Sequence, residues 1–224
     1  MRKIIGAAFV SLDGVMQAPG GPTEDPTGGF EHGGWLPPFW DDAVDETVHA
    51  ILKEPFDLLL ARKTYDIFAA FWPYAQGESK PMGDMFDRIG KYVVTHSDQP
   101  LEWQNSHRVG GLDALAELRR GDGPDLVIQG SSTLYPQLLA AGLLDRLTLM
   151  IFPVVLGGGK KLFGDGTPAR TMTPVEQEIT PCGNLIVTYL PAGKVETGDM
   201  GEFNDYRPSE RELARQEKMR ESSW

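Results

Sequence analysis

A single cysteine, Cys182, and four histidines are the only Cys and His side chains that the sequence offers for a metal site. One cysteine excludes a disulfide within the chain and any C-x-x-C motif. The histidines, at positions 32, 49, 96 and 107, lack the H-x-x-x-H spacing of common zinc sites, so we predict no metal. Apolar runs are also too short for a membrane span, so we predict no membrane-embedded segment.

Basic residues are too few to balance the acidic ones. The chain has 21 Lys and Arg against 32 Asp and Glu, which gives a formal net charge of −11. This charge argues against binding of nucleic acid or anionic membranes through the overall field, although a local basic pocket is compatible with it. We therefore expect a small-molecule substrate and, because cysteine is scarce, a cytoplasmic location.

Apolar runs alternate with amphipathic segments along most of the chain. Strands are predicted at 2–10, 56–61, 91–95, 125–129 and 145–155, helices at 42–53, 64–71, 83–89, 113–120 and 133–141, and a final antiparallel pair at 175–179 and 184–190. This order predicts an α/β fold with a mostly parallel sheet and antiparallel C-terminal strands. We predict one domain over 1–192 and a charged, partly helical or flexible extension over 193–224, in which Ser209 and Glu212 form a capping box.

Ligands of such sheets bind beyond the carboxyl ends of the strands, so the loops after residues 10, 61, 95 and 129 are expected to meet at one crevice. These loops carry Ser11-Leu12-Asp13-Gly14, Arg62-Lys63-Thr64, Thr95-His96-Ser97 and Gln129-Gly130-Ser131-Ser132-Thr133. Cations and hydroxyls at helix starts favour phosphate binding, but each loop alone could also be an ordinary turn. The run Gly157–Lys161 lacks the spacing of a P-loop, and we interpret it as a turn.

The segment 19–38 contains six Gly and five Pro and cannot form long regular structure. A loop of this length is often a lid or binding loop. Its aromatic residues, together with those that follow, are Phe30, Trp35, Phe39 and Trp40. They could cover a substrate, or they could anchor the loop to the core; the sequence leaves both open.

Five segments together resemble the dihydrofolate reductase superfamily, and within it the C-terminal reductase domain of the bacterial riboflavin-biosynthesis deaminase/reductase. These segments are SLDG at 11–14, RKTY at 62–65, KYVVTHS at 91–97, LVIQGSSTL at 126–134 and PVVLGGGKKLF at 153–163. Their order and spacing extend the resemblance over about 2–190. Two residues depart from the family pattern, because Ala61 and Ser131 stand where glycine is usual.

The resemblance implies a three-layer dihydrofolate-reductase-like fold, NADPH as cofactor without metal, a connection to riboflavin biosynthesis, and a homodimer formed through the C-terminal strands. Carried over, the cofactor-binding residues would be Ala8, Val15, Arg62, Lys63, Thr64, Thr95, His96, Ser97, Gly130, Ser131, Ser132, Thr133 and Leu134. NADPH is expected rather than NADH because Arg62, Lys63, His96 and Ser97 form a polar, partly basic set.

The same resemblance implies an NADPH-dependent reductase that transfers a hydride to a C=N or imine carbon of a flat heterocycle, of pterin or ribosylaminopyrimidine type. Asp13 or Asp45 would orient the substrate and help to deliver the proton, and Trp35 and Phe39 would stack on the ring. Asp45 could equally be an exposed carboxylate at a helix start. The alternative function is a non-catalytic nucleotide-binding or regulatory protein on the same fold.

Overall fold

The computed structural model describes residues 1–53, 55–201 and 207–221. The chain divides into two compact units, Met1–Gly193 and Lys194–Trp224. Parts of the predicted extension, 202–206 and 222–224, lie outside the described residues.

One sheet of eight strands forms the centre of the first unit. The strands are β1 (Ile4–Ser11), β2 (Phe56–Ala61), β3 (Lys91–Val94), β4 (Ser106–Val109), β5 (Asp125–Gln129), β6 (Arg146–Phe152), β7 (Met172–Ile179) and β8 (Leu185–Pro191). Their order is β4-β3-β2-β5-β1-β6-β8-β7. The pairs from β4 to β6 are parallel, and β8 is antiparallel to both β6 and β7. The predicted α/β fold with antiparallel C-terminal strands is therefore confirmed.

Helices cover both faces of this sheet. They are α1 (Asp42–Ile51), α2 (Arg62–Phe71), α3 (Lys80–Arg88), α4 (Leu112–Arg120) and α5 (Leu134–Ala141). Because both faces are covered, the central strands are continuous apolar runs: Leu58, Leu59 and Leu60 of β2 are all fully buried. Helices α1, α2 and α3 contribute to one hydrophobic core, and α4 and α5 contribute to the other.

Some element boundaries differ from the prediction. Helix α2 begins at Arg62 rather than at Thr64, so Arg62 and Lys63 belong to its first turn. Strand β4 was not predicted, because its sequence SHRV has polar residues in three of four positions. It lies at the edge of the sheet, where His107 and Arg108 can be exposed to water.

The second unit contains α6 (Glu210–Arg220). The hydroxyl of Ser209 accepts a hydrogen bond from the Glu212 backbone N–H at 3.2 Å, as the capping box predicts. Leu213 and Met219 on this helix are about half exposed. Within the part of the chain that the structure describes, no helix combines the length and apolar character needed to cross a bilayer.

Candidate active site

A cleft of about 880 Å³ opens where the carboxyl ends of several parallel strands meet. Ala61 of β2, Val94 of β3, Gln129 of β5 and Gly110 after β4 line it, and the middle of β1 forms its floor. This is the position at which open α/β sheets bind ligands, and the volume is typical of a small-molecule site.

Three helices begin at this cleft, and none has a side-chain cap. They are α2, α4 and α5, and residues of each first turn line the cavity. The first turns of α2 and α5 contain no acidic residue. Uncapped backbone N–H groups and the positive ends of the helix dipoles attract anions, so this end of the cleft suits a pyrophosphate.

The two residues that depart from the family pattern contact each other. The Ser131 hydroxyl accepts a hydrogen bond from the Ala61 backbone N–H at 3.0 Å, and the Ser131 N–H donates to the Thr64 hydroxyl at 3.0 Å. Ser131 has φ 57°, a left-handed conformation that usually favours glycine. The hydroxyl and the backbone N–H of Ser131 thus connect the end of β5 to the start of α2.

Two glycines allow backbone to lie close to polar side chains of the cleft. A Cβ on Gly130 would lie 3.0 Å from Thr64 Cγ2, and one on Gly111 would lie 3.2 Å from the His96 ring. Both glycines have positive φ, +57° and +123°. A side chain at either position would therefore strain the backbone and fill space beside the helix starts.

Two arginines meet at one end of the site. Nη1 of Arg62 donates to the Gln99 carbonyl oxygen at 3.1 Å, and Nη2 of Arg108 donates to the same oxygen at 2.9 Å. Arg62 lines the cleft and also pairs with Asp66 at 2.8 Å. Two guanidinium groups on one carbonyl make a local positive region in an acidic chain, which suits a phosphate monoester.

A polar cluster holds the Gly- and Pro-rich loop at the other end of the cleft. Buried Gln17 donates to the carbonyls of Asp25 at 2.9 Å and Thr27 at 2.8 Å, and its Oε1 accepts from the Lys160 N–H at 2.9 Å. The Lys160 ammonium pairs with the Asp25 carboxylate and donates to the Thr27 hydroxyl. The run Gly157–Lys161 therefore fastens this loop to the fold, with Lys160 as its anchor.

Two adjacent carboxyl groups in this cluster have opposite pKa shifts. Burial raises the pKa of Glu24, and the charge of Asp25 adds to this, while the backbone N–H groups of Gly20 and Gly21 oppose it. Burial also acts to raise the pKa of Asp25, but hydrogen bonds from Lys160 and Thr27 outweigh it and lower that pKa. Both residues line the cleft. Glu24 is thus suited to be a proton donor beside an ionised neighbour.

Aromatic and aliphatic side chains form the side of the cleft that α1, α2 and α3 enclose. We call this part the aromatic arm; its residues are Val48, Leu52, Phe68, Trp72, Met82 and Phe86. The Phe68 and Phe86 rings stack with centroids 6.2 Å apart, and Trp72 meets Phe86 edge-on at 5.0 Å. The arm is a firm apolar wall suited to a flat ring.

Eleven of the predicted cofactor-binding residues line the cleft: Ala8, Arg62, Lys63, Thr64, Thr95, His96, Gly130, Ser131, Ser132, Thr133 and Leu134. Val15 is fully buried, and Ser97 lies outside the lining, where its N–H donates to the Thr95 hydroxyl at 3.1 Å. Their proposed contacts with a cofactor remain predictions.

Neither carboxylate chosen from the sequence is among the residues that line the cleft, and the catalytic roles of Asp13 and Asp45 remain predictions. The Asp13 carboxylate accepts from the Ser11 hydroxyl at 2.6 Å and from the backbone N–H groups of Leu156 at 3.1 Å and Gly157 at 2.9 Å. These bonds, that of Ser11 first, lower the pKa of Asp13 to about 2. Asp13 therefore fixes the loop after β6. Asp45 lies half exposed on α1 and pairs with His49 at 3.2 Å.

The aromatic residues predicted to stack on substrate, Trp35 and Phe39, make contacts that anchor the long loop, and their stacking on a substrate remains a prediction. The Trp35 indole N–H donates to the Gln17 carbonyl at 2.9 Å, and its ring packs edge-on against Phe152 at 5.7 Å. Phe39 packs on the same Phe152 ring at 6.5 Å. Trp40, in contrast, is 40% exposed and lines the cleft. Of the two interpretations left open, anchoring describes Trp35 and Phe39.

Sequence reasoning missed Glu24, Asp25 and Lys160, the turn at 110–113 and the aromatic arm. The turn had a detectable signal, since Gly110-Gly111 before a helix repeats the pattern of the other strand ends. Glu24 had none, because it is one acid among many in an irregular loop. Among the described residues, no group of three or more His, Cys, Asp or Glu could hold a metal ion.

The family model of the RibD C-terminal domain matches residues 2–186. The chain belongs to this family. The resemblance inferred from the motifs is therefore confirmed. A curated relative in Bacillus subtilis (strain 168), the uncharacterized protein YyaP, is 26% identical over 195 residues, which cover 84% of this chain and 94% of YyaP.

Solved structures similar to this chain support the same fold. A putative riboflavin biosynthesis protein from Shewanella sp. PV-4 has a TM-score of 0.61 at 20% identity, covering 85% of this chain and 99% of its own. A pyrimidine reductase-like protein from Corynebacterium diphtheriae has a TM-score of 0.55 at 13% sequence identity, and the match covers 85% of this chain and 92% of that protein. Dihydrofolate reductase from Enterococcus faecalis, solved with NADP(H), has a TM-score of 0.51 at 16% sequence identity, and the match covers 84% of this chain and 96% of that protein. The dihydrofolate-reductase-like fold is thereby confirmed for this member of the RibD C-terminal family.

Proposed function

We propose that the protein is an NADPH-dependent reductase that reduces a C=N or imine bond of a flat heterocycle. The observation that carries the proposal is the cleft itself, in which three uncapped helix starts meet beside an aromatic arm. The helix starts suit the pyrophosphate of a dinucleotide, and the arm suits the ring to be reduced. The family supports reductase chemistry of this type.

Several residues that line the cleft have the chemistry to hold NADPH. The first turns of α2 and α5 would hold the pyrophosphate, and Arg62 with Arg108 would hold the 2′-phosphate. The small side chains of Ala8 and Ala18 leave room for a flat ring beside β1. Bound NADPH would supply a hydride to the substrate carbon.

Glu24 would supply the proton that balances this reduction. As the carbon of the C=N bond gains a hydride, the π electron pair moves to nitrogen, which takes a proton from the Glu24 carboxyl group. The Glu24 carboxylate then regains a proton from water. Its raised pKa keeps the carboxyl group protonated to higher pH than an ordinary glutamate, and the Asp25–Lys160 pair beside it stays ionised.

Calorimetric titration with NADPH, followed by absorbance of NADPH with a panel of dihydropterins, pyrimidines and cyclic imines, tests the function. We expect binding and, with at least one compound, oxidation of NADPH. Binding without oxidation across the panel would favour the non-catalytic alternative. No heat with NADPH or NADP⁺ would contradict the proposal as a whole.

Replacing Arg62 with alanine is expected to weaken NADPH binding about 10- to 100-fold and NADH binding only slightly, because a charged contact with the 2′-phosphate is lost. Arg108→Ala should show the same preference with a smaller loss, since Arg108 is exposed and lies outside the cleft lining. Titrations with both nucleotides measure this. Arg146→Ala, at the exposed start of β6, is the control. Equal losses for NADPH and NADH would contradict the role of Arg62.

We also propose that the protein is a homodimer formed through its C-terminal strands. Strand β7 lies at one end of the sheet, and Val175 and Ile179 on it are 45% and 73% exposed. Apolar side chains on an edge strand favour pairing with another chain. Light scattering should give twice the chain mass, and Ile179→Lys should shift it toward the monomer; a monomeric wild-type protein would contradict the proposal.

A further inference from the structure

The aromatic arm has no basic side chain. Its walls are Val48 of α1, Phe68 of α2, and Met82 and Phe86 of α3, together with Leu52 and Trp72, which directly follow α1 and α2. Phe86 is 1% exposed, and Val48 and Leu52 are buried as well. A ligand group that enters this arm therefore leaves water and meets only carbon, indole and thioether surfaces.

The basic side chains of the cleft lie outside the aromatic arm, and one of them is already paired with a carboxylate. Among the described residues that line it, they are Arg62, Lys63, His96 and Lys160. The first three stand at the start of α2 and the end of β3, where the nucleotide is proposed to bind. Lys160 is neutralised by Asp25, with Thr27 as a further partner. No cation is left to accompany a phosphate on the substrate.

The acidic residues of the cleft supply no cation for a phosphate either. Glu24 and Asp25 line the cleft beside the same loop, and the whole chain carries a formal charge of −11. A phosphate that is stripped of water without a cation loses far more hydration energy than an apolar surface can return. The arm therefore selects against a phosphorylated substrate by desolvation.

The wall geometry indicates what the arm accepts instead. Gly83 brings α3 close to the chain at Trp72, since a Cβ there would lie 2.5 Å from the Trp72 carbonyl oxygen. This close approach lets Phe86 stack on Phe68 and meet Trp72 edge-on. Rings held in this way present a flat, rigid surface, which loses little conformational entropy when a planar ligand binds.

We propose that the aromatic arm binds a flat heterocycle that carries no phosphate, so that the substrate is of pterin or free-base type and not a ribosylaminopyrimidine phosphate. This rests on the proposed NADPH-dependent reductase function, in which the nucleotide fills the basic end of the cleft. In this proposal the arm accepts uncharged rings and rejects phosphorylated ones, and the basic end of the cleft binds only the phosphates of the cofactor.

Two matched pairs of probes test the proposal on wild-type protein saturated with NADP⁺. Riboflavin and FMN differ only in a phosphate, as do uridine and UMP; fluorescence quenching measures the first pair and calorimetry the second. We expect the phosphate-free member of a pair to bind at least about ten-fold more tightly. Equal or tighter binding of FMN or UMP overturns the proposal, and so does absence of binding by all four probes.

NADP⁺ binding is measured first, so that a failure of the proposed reductase function can be told apart from a failure of the proposed substrate class. If NADP⁺ does not bind, the reductase function fails before the arm is tested. If NADP⁺ binds and the phosphorylated probes are preferred, only the substrate class fails.

A variant locates the selection within the arm. Met82 is half-buried on α3, so an arginine there can place its charge in the arm while its stem covers apolar surface. Met82→Arg should bring FMN to within about three-fold of riboflavin, and Met85→Arg, on the same helix but outside the cleft lining, should keep the wild-type preference. An unchanged preference in a folded Met82→Arg protein overturns the assignment to the arm, and the wild-type comparison stands by itself if this variant does not fold.

Discussion

Glu24→Gln is expected to lower kcat for NADPH-dependent reduction by about 10²- to 10⁴-fold, because glutamine keeps the shape of the side chain and loses its transferable proton. NADPH binding should change little, since the helix starts and Arg62 are untouched. In the wild-type protein the proposed kcat should fall as pH rises through the raised pKa of Glu24, because the acid must be protonated. The Glu24→Gln protein should lack this fall of kcat with rising pH.

Two further variants make this prediction specific to Glu24. Glu31→Gln makes the same chemical change in the same loop at an exposed position outside the cleft lining, and should leave kcat unchanged. Asp13→Asn should weaken the hydrogen bonds that hold the loop after β6, and should change kcat much less than Glu24→Gln does. A normal pH profile for Glu24→Gln, together with its loss in Asp13→Asn, would restore the role that the sequence predicted for Asp13. The carboxyl pKa of Glu24 can also be read directly by NMR of glutamate-labelled protein.

Asp57→Ala is expected to destabilise the fold by about 3–5 kcal/mol, because it leaves the Arg2 guanidinium buried without its counter-ion. Arg2 is 2% exposed, pairs with Asp57 and stacks over the Tyr92 ring at 4.7 Å. The second carboxylate oxygen of Asp57 accepts from the Gly90 N–H at 2.8 Å, so the pair joins the starts of β1, β2 and β3. Urea unfolding followed by circular dichroism measures the loss.

The exposed pair Lys80–Asp84 provides the comparison. Its side chains are 60% and 53% exposed, so Asp84→Ala should cost at most about 1 kcal/mol. The double variant Arg2→Met with Asp57→Leu should recover part of the stability lost in Asp57→Ala, because no buried charge then remains. A loss in Asp57→Ala no larger than that in Asp84→Ala would show that water reaches Arg2.

The central strands could be predicted because burial on both faces leaves a continuous apolar run, as in FDLLLA of β2 and DLVIQ of β5. Strand β4 could not, because SHRV is an edge strand whose partner β3 supplies the hydrogen bonds that its own composition does not indicate. The start of α2 was predicted at Thr64, two residues too late, because the hydrogen bond that occupies the Thr64 hydroxyl comes from a distant part of the chain. Thr64 looks like a cap, but its hydroxyl accepts from Ser131 on another strand end.

The end of the cleft at which we propose that a nucleotide binds was predictable because each part is a local pattern: a strand end, then small or polar residues, then a helix. The carboxylate was not. Asp13 has the right local position, but its oxygens are occupied by Ser11, Leu156 and Gly157, and two of these partners lie over 140 residues away. Glu24 has no local pattern, and its altered pKa exists only because the loop folds against the cleft.

The sequence alone therefore determined the sheet, the family and the turns that are proposed to bind phosphate, because strand burial, helix starts and glycine turns are properties of short segments. Tertiary structure alone decided which acid faces the cleft, which aromatic rings line it and where cations are missing. Those properties depend on contacts such as Gln17 with Lys160 and Phe68 with Phe86, which join parts of the chain that carry no local record of each other.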